Sequence, residues 1–584
     1  MQYDASNPLI VQGDRSILVE VDNPKYAEAR DALAPFAELE KSPEHIHTYR
    51  LSNLSLWNAA AAGMSADEMV DVLRRFSKFP LPSNLGPDIT ELVSRYGRVR
   101  LEKYDGETDA ELPSLRLVCP DVPLLEELAR QPKVRDYLRQ RLDKISFLVD
   151  AGHRGVLKLA LIGVGYPAED LAGYTEGEAL PMKLRTLTRT GLPFVVRDYQ
   201  RDAGEVFYAG GDVRGGSGVI VLPCGAGKTI VGICAMCMIQ RKTLILTTGI
   251  TSVKQWHREI LDKTDLEDGQ VAEYTGESKE IAAVTLATYQ ILSHRNDKND
   301  DFPHFEIFNK EDWGLIIYDE VHLLPAPVFR VTAQIQARRR LGLTATLVRE
   351  DGREADVFSL IGPKKYDVPW RELEQRGWIA EASCCEVRVG LPDDHRMEYA
   401  VAEWRNKYRI ASENPAKDDI VGVLLRRYRD SRVLIIGQYL TQLRQLAKRY
   451  KLPLITGQTG NPEREELYKK FRLGEVRHMI LSKVGNFALD LPDANVLIQI
   501  SGTFGSRQEE AQRLGRILRP KTGGEVAHFY TLVTRDTREQ DFAHHRQLFL
   551  TEQGYTYQIL DGPELIAQSD SVELTRTPAR DDSF

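Results

Sequence analysis

The stretch GLIIYDEVHLLPAP, Gly314 to Pro327, decides the fold. Leu315 to Tyr318 form a short apolar run that reads as a buried strand. The run ends in two adjacent carboxylates, Asp319 and Glu320, with His322 two residues further on. Burying one unpaired carboxylate is costly, and burying two is worse. Such a pair is tolerable if a divalent cation sits beside it, or if the strand tip opens into a cleft.

Upstream, GVIVLPCGAGKTIVGICAM (Gly218 to Met236) places a strand, a glycine-rich turn and then a helix. Gly225, Gly227, Lys228 and Thr229 match the end of a P-loop. In that motif the glycines let backbone N–H groups approach phosphate oxygens, the lysine reaches the β- and γ-phosphates, and the hydroxyl ligates Mg²⁺. The first glycine of the motif is replaced by Leu222. A P-loop needs a second strand ending in an aspartate that holds Mg²⁺, which is the part Asp319 fits. Glu320 is then placed to orient and deprotonate an attacking water. His322 suits a hydrogen-bond relay from Glu320 toward a facing domain.

From about residue 197 onward, strands alternate with helices of ten or more residues. VIVL, TLILTT, VTLATY, LIIYDE and RLGLTAT form one series, and VLIIG, LPLIT, MILS, VLIQI and HFYTLV a second. The fold class is therefore α/β, with two successive doubly wound parallel sheets. Residues 186–375 and 376–584 carry them, and a polar, helical stretch near 393–421 reads as an insertion at the joint. Residues 1–110 read as a winged-helix-like module. It has a hairpin over 9–20 turning at Gly13-Asp14, a helix over 25–40, a helix stopped at Gly63, a capping box from Ser65 to Glu68, and a closing strand RVRLEKY. Residues 111–185 read as a small strand–helix–strand–helix domain with one long helix, VPLLEELARQPKVRDYLRQRLDK.

The chain has 584 residues, more than one core can organise. Its net charge of −8 argues against a protein that simply coats nucleic acid, though not against a motor with a local groove. The six cysteines show no disulfide framework, and Cys234-Ala-Met-Cys237 has no second pair to close a metal site, so it reads as helix core. No signal pattern and no membrane-length apolar run appear, so a cytoplasmic, nucleoid-associated location and no membrane partner are expected.

The motifs together resemble those of superfamily 2 helicases. Arg197-Asp-Tyr199-Gln200 is similar to the adenine-reading motif, and TSVKQWHRE (251–259) and TLATYQ (285–290) to the strand-contacting motifs of the first motor domain. Thr344-Ala-Thr346 resembles the motif that couples hydrolysis to movement. IIGQY (435–439), ITGQT (455–459), SKVGNFALDLPDA (482–494) and QRLGRILRP (512–520) fall where the second domain grips nucleic acid and supplies arginine fingers. Within that superfamily the chain resembles the bacterial members of the XPB family of 3′-to-5′ DNA helicases. Arg349-Glu350-Asp351 directly after the TAT motif, IYDEVHLLPAPVFR and SGTFGSRQEEAQRLGRILRP carry the resemblance. In that family, 111–185 corresponds to a damage-recognition-like domain and 393–421 to the element called the thumb. The sequence departs from common helicase patterns at Ser482, where threonine is usual, and at Ala488-Leu489, where glycine often precedes the aspartate.

The resemblance implies ATP and Mg²⁺ as cofactors, with ATP lying between the two motor domains. Arg197, Gln200, Gly225, Gly227, Lys228, Thr229, Asp319 and Asp490 would hold the nucleotide, and Thr229 and Asp319 the metal. Glu320, Gln512, Arg516 and Arg519 would carry catalysis, and His322, Thr344 and Thr346 would couple it to motion. Thr248, Thr288, Arg349, Glu350, Asp351, Gln438, Thr456 and Ser482 would contact DNA, single-stranded or as a forked duplex, mostly at phosphates. A nuclease or repair-factor partner is implied by analogy. An ATP-driven duplex-DNA switch that recruits partners, and an RNA helicase, are the alternatives. Lys228→Ala is expected to weaken ATP binding roughly ten- to a hundredfold, as loss of a charge-assisted contact does. Titration with a fluorescent ATP analogue measures it, and unchanged affinity contradicts the P-loop reading.

Overall fold

The computed structural model describes residues 4–41, 45–106, 114–212, 215–223, 225–294, 303–325, 328, 332, 338–345, 354–368, 370–482, 494–502, 526–552, 555 and 557–567. The chain divides into two compact units, the first running to Val368 apart from residues 223–226, the second beginning at Pro369.

The first unit opens with a four-stranded antiparallel sheet of β1 (Leu9–Val11), β2 (Ser16–Glu20), β3 (Glu38–Lys41) and β4 (Ile46–Arg50), in the order β1-β2-β4-β3. The hairpin turning at Gly13-Asp14 is present, with Leu9 paired to Val19. The helix expected over 25–40 is shorter: α1 spans Tyr26–Leu33, and the chain then enters β3. Pro35 explains the stop, since it has no N–H to carry the hydrogen-bond ladder past Ala34, which is itself still helical (φ −50°, ψ −34°). Three helices follow, α2 (Asn53–Ala61), α3 (Ala66–Phe76) and α4 (Leu85–Arg95). The capping box at Ser65 forms, with Glu68 bonded back to the Ser65 N–H. Gly63, just past α2, has φ +95°, a conformation that glycine adopts without strain.

A second four-stranded sheet, in the order β7-β6-β5-β8, joins β5 (Arg100–Tyr104), β6 (Ser114–Val118), β7 (Ser146–Asp150) and β8 (Glu169–Asp170). The strand RVRLEKY therefore belongs here rather than to the first module, because β5 pairs with β6 from Arg100↔Val118 to Tyr104↔Ser114. A boundary at residue 110 would cut that hairpin. The single long helix expected after residue 122 is broken into α5 (Val122–Arg130) and α6 (Pro132–Arg135). Gln131, the residue before Pro132, is extended (φ −65°, ψ 122°), as the proline ring requires. Helix α7 (Arg154–Gly163) covers the sheet, and Leu101, Leu117, Leu125, Val149, Leu157 and Leu161 fill the core.

The rest of the first unit is a seven-stranded parallel sheet, order β11-β12-β10-β13-β14-β9-β15. Its strands are β9 (Ser217–Val221), β10 (Thr243–Thr247), β11 (Val271–Tyr274), β12 (Val284–Thr288), β13 (Leu315–Asp319), β14 (Arg339–Thr344) and β15 (Lys364–Asp367). The five expected strands are present; β11 and β15 were not anticipated. β9, β10 and β12 are buried at every position, which is why they read as unbroken apolar or threonine-rich runs instead of alternating. Helices α8 (Asp198–Tyr208), α9 (Lys228–Ile239), α10 (Ile250–Lys263) and α11 (Tyr289–Leu292) connect and flank them.

The second unit holds another seven-stranded parallel sheet, order β18-β19-β17-β20-β21-β16-β22. Its strands are β16 (Ala382–Val389), β17 (Val433–Ile436), β18 (Leu454–Ile455), β19 (His478–Leu481), β20 (Val496–Gln499), β21 (Ala527–Thr534) and β22 (Tyr557–Asp561). The stretch 393–421 is not an insertion as a whole. It forms helices Asp393–Val401 and Trp404–Ser412 and the start of Ala416–Arg427. The last of these lies in the core with Ile420, Val421 and Leu424. Only Asp393–Val401 has no buried residue. One of its charges is matched inside the core: Lys417 and Glu539 are both fully buried and 2.7 Å apart.

Removing one member of such a pair strands a buried charge. Lys417→Ala should destabilise the second unit by about 3–5 kcal/mol, whereas Lys417→Met with Glu539→Leu should recover most of that loss. Thermal unfolding followed by circular dichroism checks both.

Candidate nucleotide site

In a parallel sheet the ligand edge is the one at the carboxyl ends of the strands. At this edge of the first motor sheet, β9 leads into the glycine turn, β13 ends at Asp319, and β14, which lies between them, ends at Thr344. Gly225 and Gly227 have φ +85° and +80°, the left-handed turn that a P-loop needs and that a side chain would strain. Helix α9 starts at Lys228 with Thr229 beside it, and the N-terminus of a helix favours an anion.

Lys228 Nζ lies 3.1 Å from Glu320 Oε1, with both side chains largely buried. His322 Nδ1 is 3.5 Å from Glu320 Oε2 and 2.7 Å from Thr344 Oγ1. Within the first unit, His322 thus links Glu320 to the end of β14. Among the described residues no donor bonds Glu320 Oε2, which leaves it an acceptor suited to a water. Glu320 also has φ +51°, an uncommon conformation for a residue with a side chain and a frequent mark of functional sites.

The two carboxylates differ electrically. Burial, and after it the neighbouring Glu320 charge, push the Asp319 carboxyl up to about 6. Burial also acts to raise Glu320, but Lys228 and then His322 outweigh it and hold the group below the usual carboxylate range. A divalent cation beside Asp319 would relieve the repulsion. Mg²⁺ commonly takes one or two carboxylates and completes its shell with water and phosphate oxygens. The donor set here, Asp319 with the Thr229 hydroxyl, fits that pattern. Among the described residues no group of three or more His, Cys, Asp or Glu could hold a metal by itself. Burial lifts the Cys234 and Cys237 thiols to about 11 and about 12, in keeping with helix core. No helix among the described residues is long and apolar enough to cross a membrane.

Gln200 is 4% exposed, and its Oε1 accepts from the Arg197 N–H at 3.1 Å. Its amide lies against the glycine turn: a Cβ added at Gly227 would stand 2.5 Å from Gln200 Nε2. The motif similar to the adenine reader is thus docked on the P-loop, with Arg197 Nη1 donating to the Tyr199 hydroxyl at 3.0 Å.

The expected strand-contacting residues gather at the same sheet edges. Thr248 follows β10 and Thr288 ends β12, while Gln438, Thr456 and Ser482 follow β17, β18 and β19. Several have their side chains turned inward. Thr288 is 3% exposed, and its hydroxyl accepts from the Ile291 N–H as a helix cap, so it is not a surface contact. Thr456 and Ser482 are 8% and 5% exposed, and Thr456 Oγ1 accepts from the Gln458 N–H. Gln438 is held through its backbone N–H, which donates to Ser501 Oγ. Thr346, Arg349, Glu350, Asp351, Asp490, Gln512, Arg516 and Arg519 lie outside the described residues.

Two residues that hold Asp319 were not singled out from sequence. Trp256 Nε1 donates to Asp319 Oδ2, and the Tyr289 hydroxyl donates to the Asp319 carbonyl oxygen, each at 2.9 Å. The signal available was an aromatic with a polar tip inside each strand-contacting motif, a residue type that takes a hydrogen-bond partner when buried.

Comparison with known proteins bears on this site. A family model for the ERCC3/RAD25/XPB C-terminal helicase matches residues 373–582, one for a helicase conserved C-terminal domain matches residues 9–143, and one for the type III restriction enzyme res subunit matches residues 193–349. The DNA 3′-5′ helicase XPB of Kineococcus radiotolerans is 52% identical over 558 residues, covering 96% of this chain and 97% of that one. The protein of the same name from Mycobacterium tuberculosis is 51% identical over 559 residues, covering 96% and 98%. The general transcription and DNA repair factor IIH helicase/translocase subunit XPB of Encephalitozoon cuniculi is 33% identical over 592 residues, covering 99% and 86%. A phosphate loop facing an Asp-Glu-Val-His strand end, and similarity that runs along nearly the whole chain, together place this protein in the XPB family of helicases.

Proposed function

We propose that the protein is an ATP-dependent 3′-to-5′ DNA helicase or translocase that acts in DNA repair or related DNA transactions. The observation that carries this reading is the Lys228–Glu320 pair at 3.1 Å beside Asp319, at the ligand edge of a parallel sheet. Lys228 and the Gly225–Gly227 turn would bind the phosphates. Thr229 and Asp319 would hold Mg²⁺, which supplies charge neutralisation at the transferring phosphoryl group. Glu320, kept ionised by Lys228 and His322, would take the proton of the attacking water. The His322–Thr344 hydrogen bond would report the state of Glu320 to β14.

The relatives' names support DNA as the substrate and a repair setting; we extend both to this chain, together with a cytoplasmic, nucleoid-associated location and a nuclease or repair-factor partner. Arg516 and Arg519 are proposed as the arginine fingers, with Gln512 and Asp490 beside them. Arg349, Glu350 and Asp351 are proposed as DNA contacts, and Thr346 as a coupling residue.

The test is strand displacement by the purified protein, with ATP and Mg²⁺, on duplexes carrying a 3′ or a 5′ single-stranded tail. Unwinding of the 3′-tailed duplex alone is expected. Glu320→Gln should lower it at least about a hundredfold while ATP still binds. DNA-stimulated ATP hydrolysis without displacement on either duplex would replace the helicase reading with a translocase or switch.

A further inference from the structure

Asp319 receives one hydrogen bond from each of the two strand-contacting motifs of the first motor domain. Trp256 stands in the second turn of α10, whose first residue, Ile250, comes two places after Thr248. It is 1% exposed, and its indole N–H donates to Asp319 Oδ2 at 2.9 Å. The ring is wedged against the P-loop helix: a Cβ at Gly232 would lie 2.4 Å from Trp256 Cη2 and 3.4 Å from Leu343 Cδ1. Glycine at 232 is thus what lets the indole sit between α9 and β13. Tyr289, next to Thr288, is 3% exposed, and its hydroxyl donates to the Asp319 carbonyl at 2.9 Å. That carbonyl belongs to the peptide leading into Glu320, whose φ is +51°.

We infer that Trp256 and Tyr289 are positioning residues through which DNA held at the α10 and α11 edge sets the geometry of the ATP site: Trp256 aims the Asp319 carboxylate, and Tyr289 fixes the peptide that aims Glu320. This rests on the nucleotide and DNA reading given above. A small shift of α10 moves the indole, and its close approach to Gly232 leaves the ring little room to move without Asp319. Rotation of the 319–320 peptide would swing Glu320 out of the left-handed turn, and the Tyr289 hydroxyl opposes it. Neither residue touches ATP or water in this scheme; each acts through Asp319.

Trp256→Phe and Tyr289→Phe each delete one donor and keep a ring. In the full-length protein, each should lower the DNA-stimulated kcat about tenfold, the size of one lost charge-assisted or strain-holding hydrogen bond. DNA affinity should stay within about twofold in both variants, and the KM for ATP within about twofold in Tyr289→Phe, where the change is felt only in the transition state. Binding of a fluorescent, non-hydrolysed ATP analogue with Mg²⁺ and with EDTA separates the two roles. The Mg²⁺-dependent gain in affinity should fall about fivefold in Trp256→Phe, which loses the carboxylate contact, and persist in Tyr289→Phe. Thermal unfolding is followed in parallel, and if Trp256→Phe does not fold, Tyr289→Phe decides. Stimulated kcat within about twofold of wild type in the folded variants overturns the inference alone. Wild-type protein whose ATPase ignores DNA overturns the functional reading, and this inference falls with it.

Discussion

The ion pair between Lys228 and Glu320 is the interaction on which the site depends. It joins the phosphate loop to the end of β13, and it lets a second carboxylate stand beside Asp319 in a half-buried setting. Without a cation near Glu320, two adjacent carboxylates would repel at short range in a medium that screens them poorly. With it, they divide the work. Glu320 is held below the usual carboxylate range, as suits a base, while burial and then the Glu320 charge push Asp319 above it. A divalent cation at this site would relieve the same repulsion that makes the sequence unusual.

The sheet order explains why these groups can communicate. β14 lies between the strand that leads into the phosphate loop and the strand that ends in the carboxylates. Its last residue, Thr344, bonds His322, and the Leu222 N–H after β9 donates to the Thr344 carbonyl at 3.0 Å. One strand end is therefore in contact with both halves of the nucleotide site. On the other side of β13, α10 and α11 reach Asp319 through Trp256 and Tyr289. Strand ends buried on both faces resist continuous deformation, so movement at one element is passed on rather than absorbed.

The architecture was legible where local pattern and burial agree. β9, β10, β12 and β13 read as strands because parallel-sheet strands are covered on both faces, and the glycine turn announced itself by residues that only a left-handed backbone requires. Several of the failures come from partners distant in sequence. Ala382–Val389 was missed because it carries Glu386 mid-strand. That carboxylate is fully buried and satisfied by Gln547 and Tyr557, more than 150 residues away. Lys417 helped make a core helix read as part of an insertion, because its partner, Glu539, lies 122 residues on. Thr288, Thr456 and Ser482 were placed at the correct sheet edges, but sequence could not show that their hydroxyls turn inward. Pro35 and Pro132 could have been used to cut two helices that were drawn too long.

The central claim is that Asp319 is a metal-binding carboxylate within a nucleotide site. Isothermal titration of a non-hydrolysed ATP analogue into wild type and Asp319→Asn, each with Mg²⁺ and with EDTA, addresses it most directly. The account predicts that Mg²⁺ tightens nucleotide binding about tenfold or more in wild type and has little effect in Asp319→Asn. An equal gain from Mg²⁺ in both proteins, or none in wild type, would contradict it.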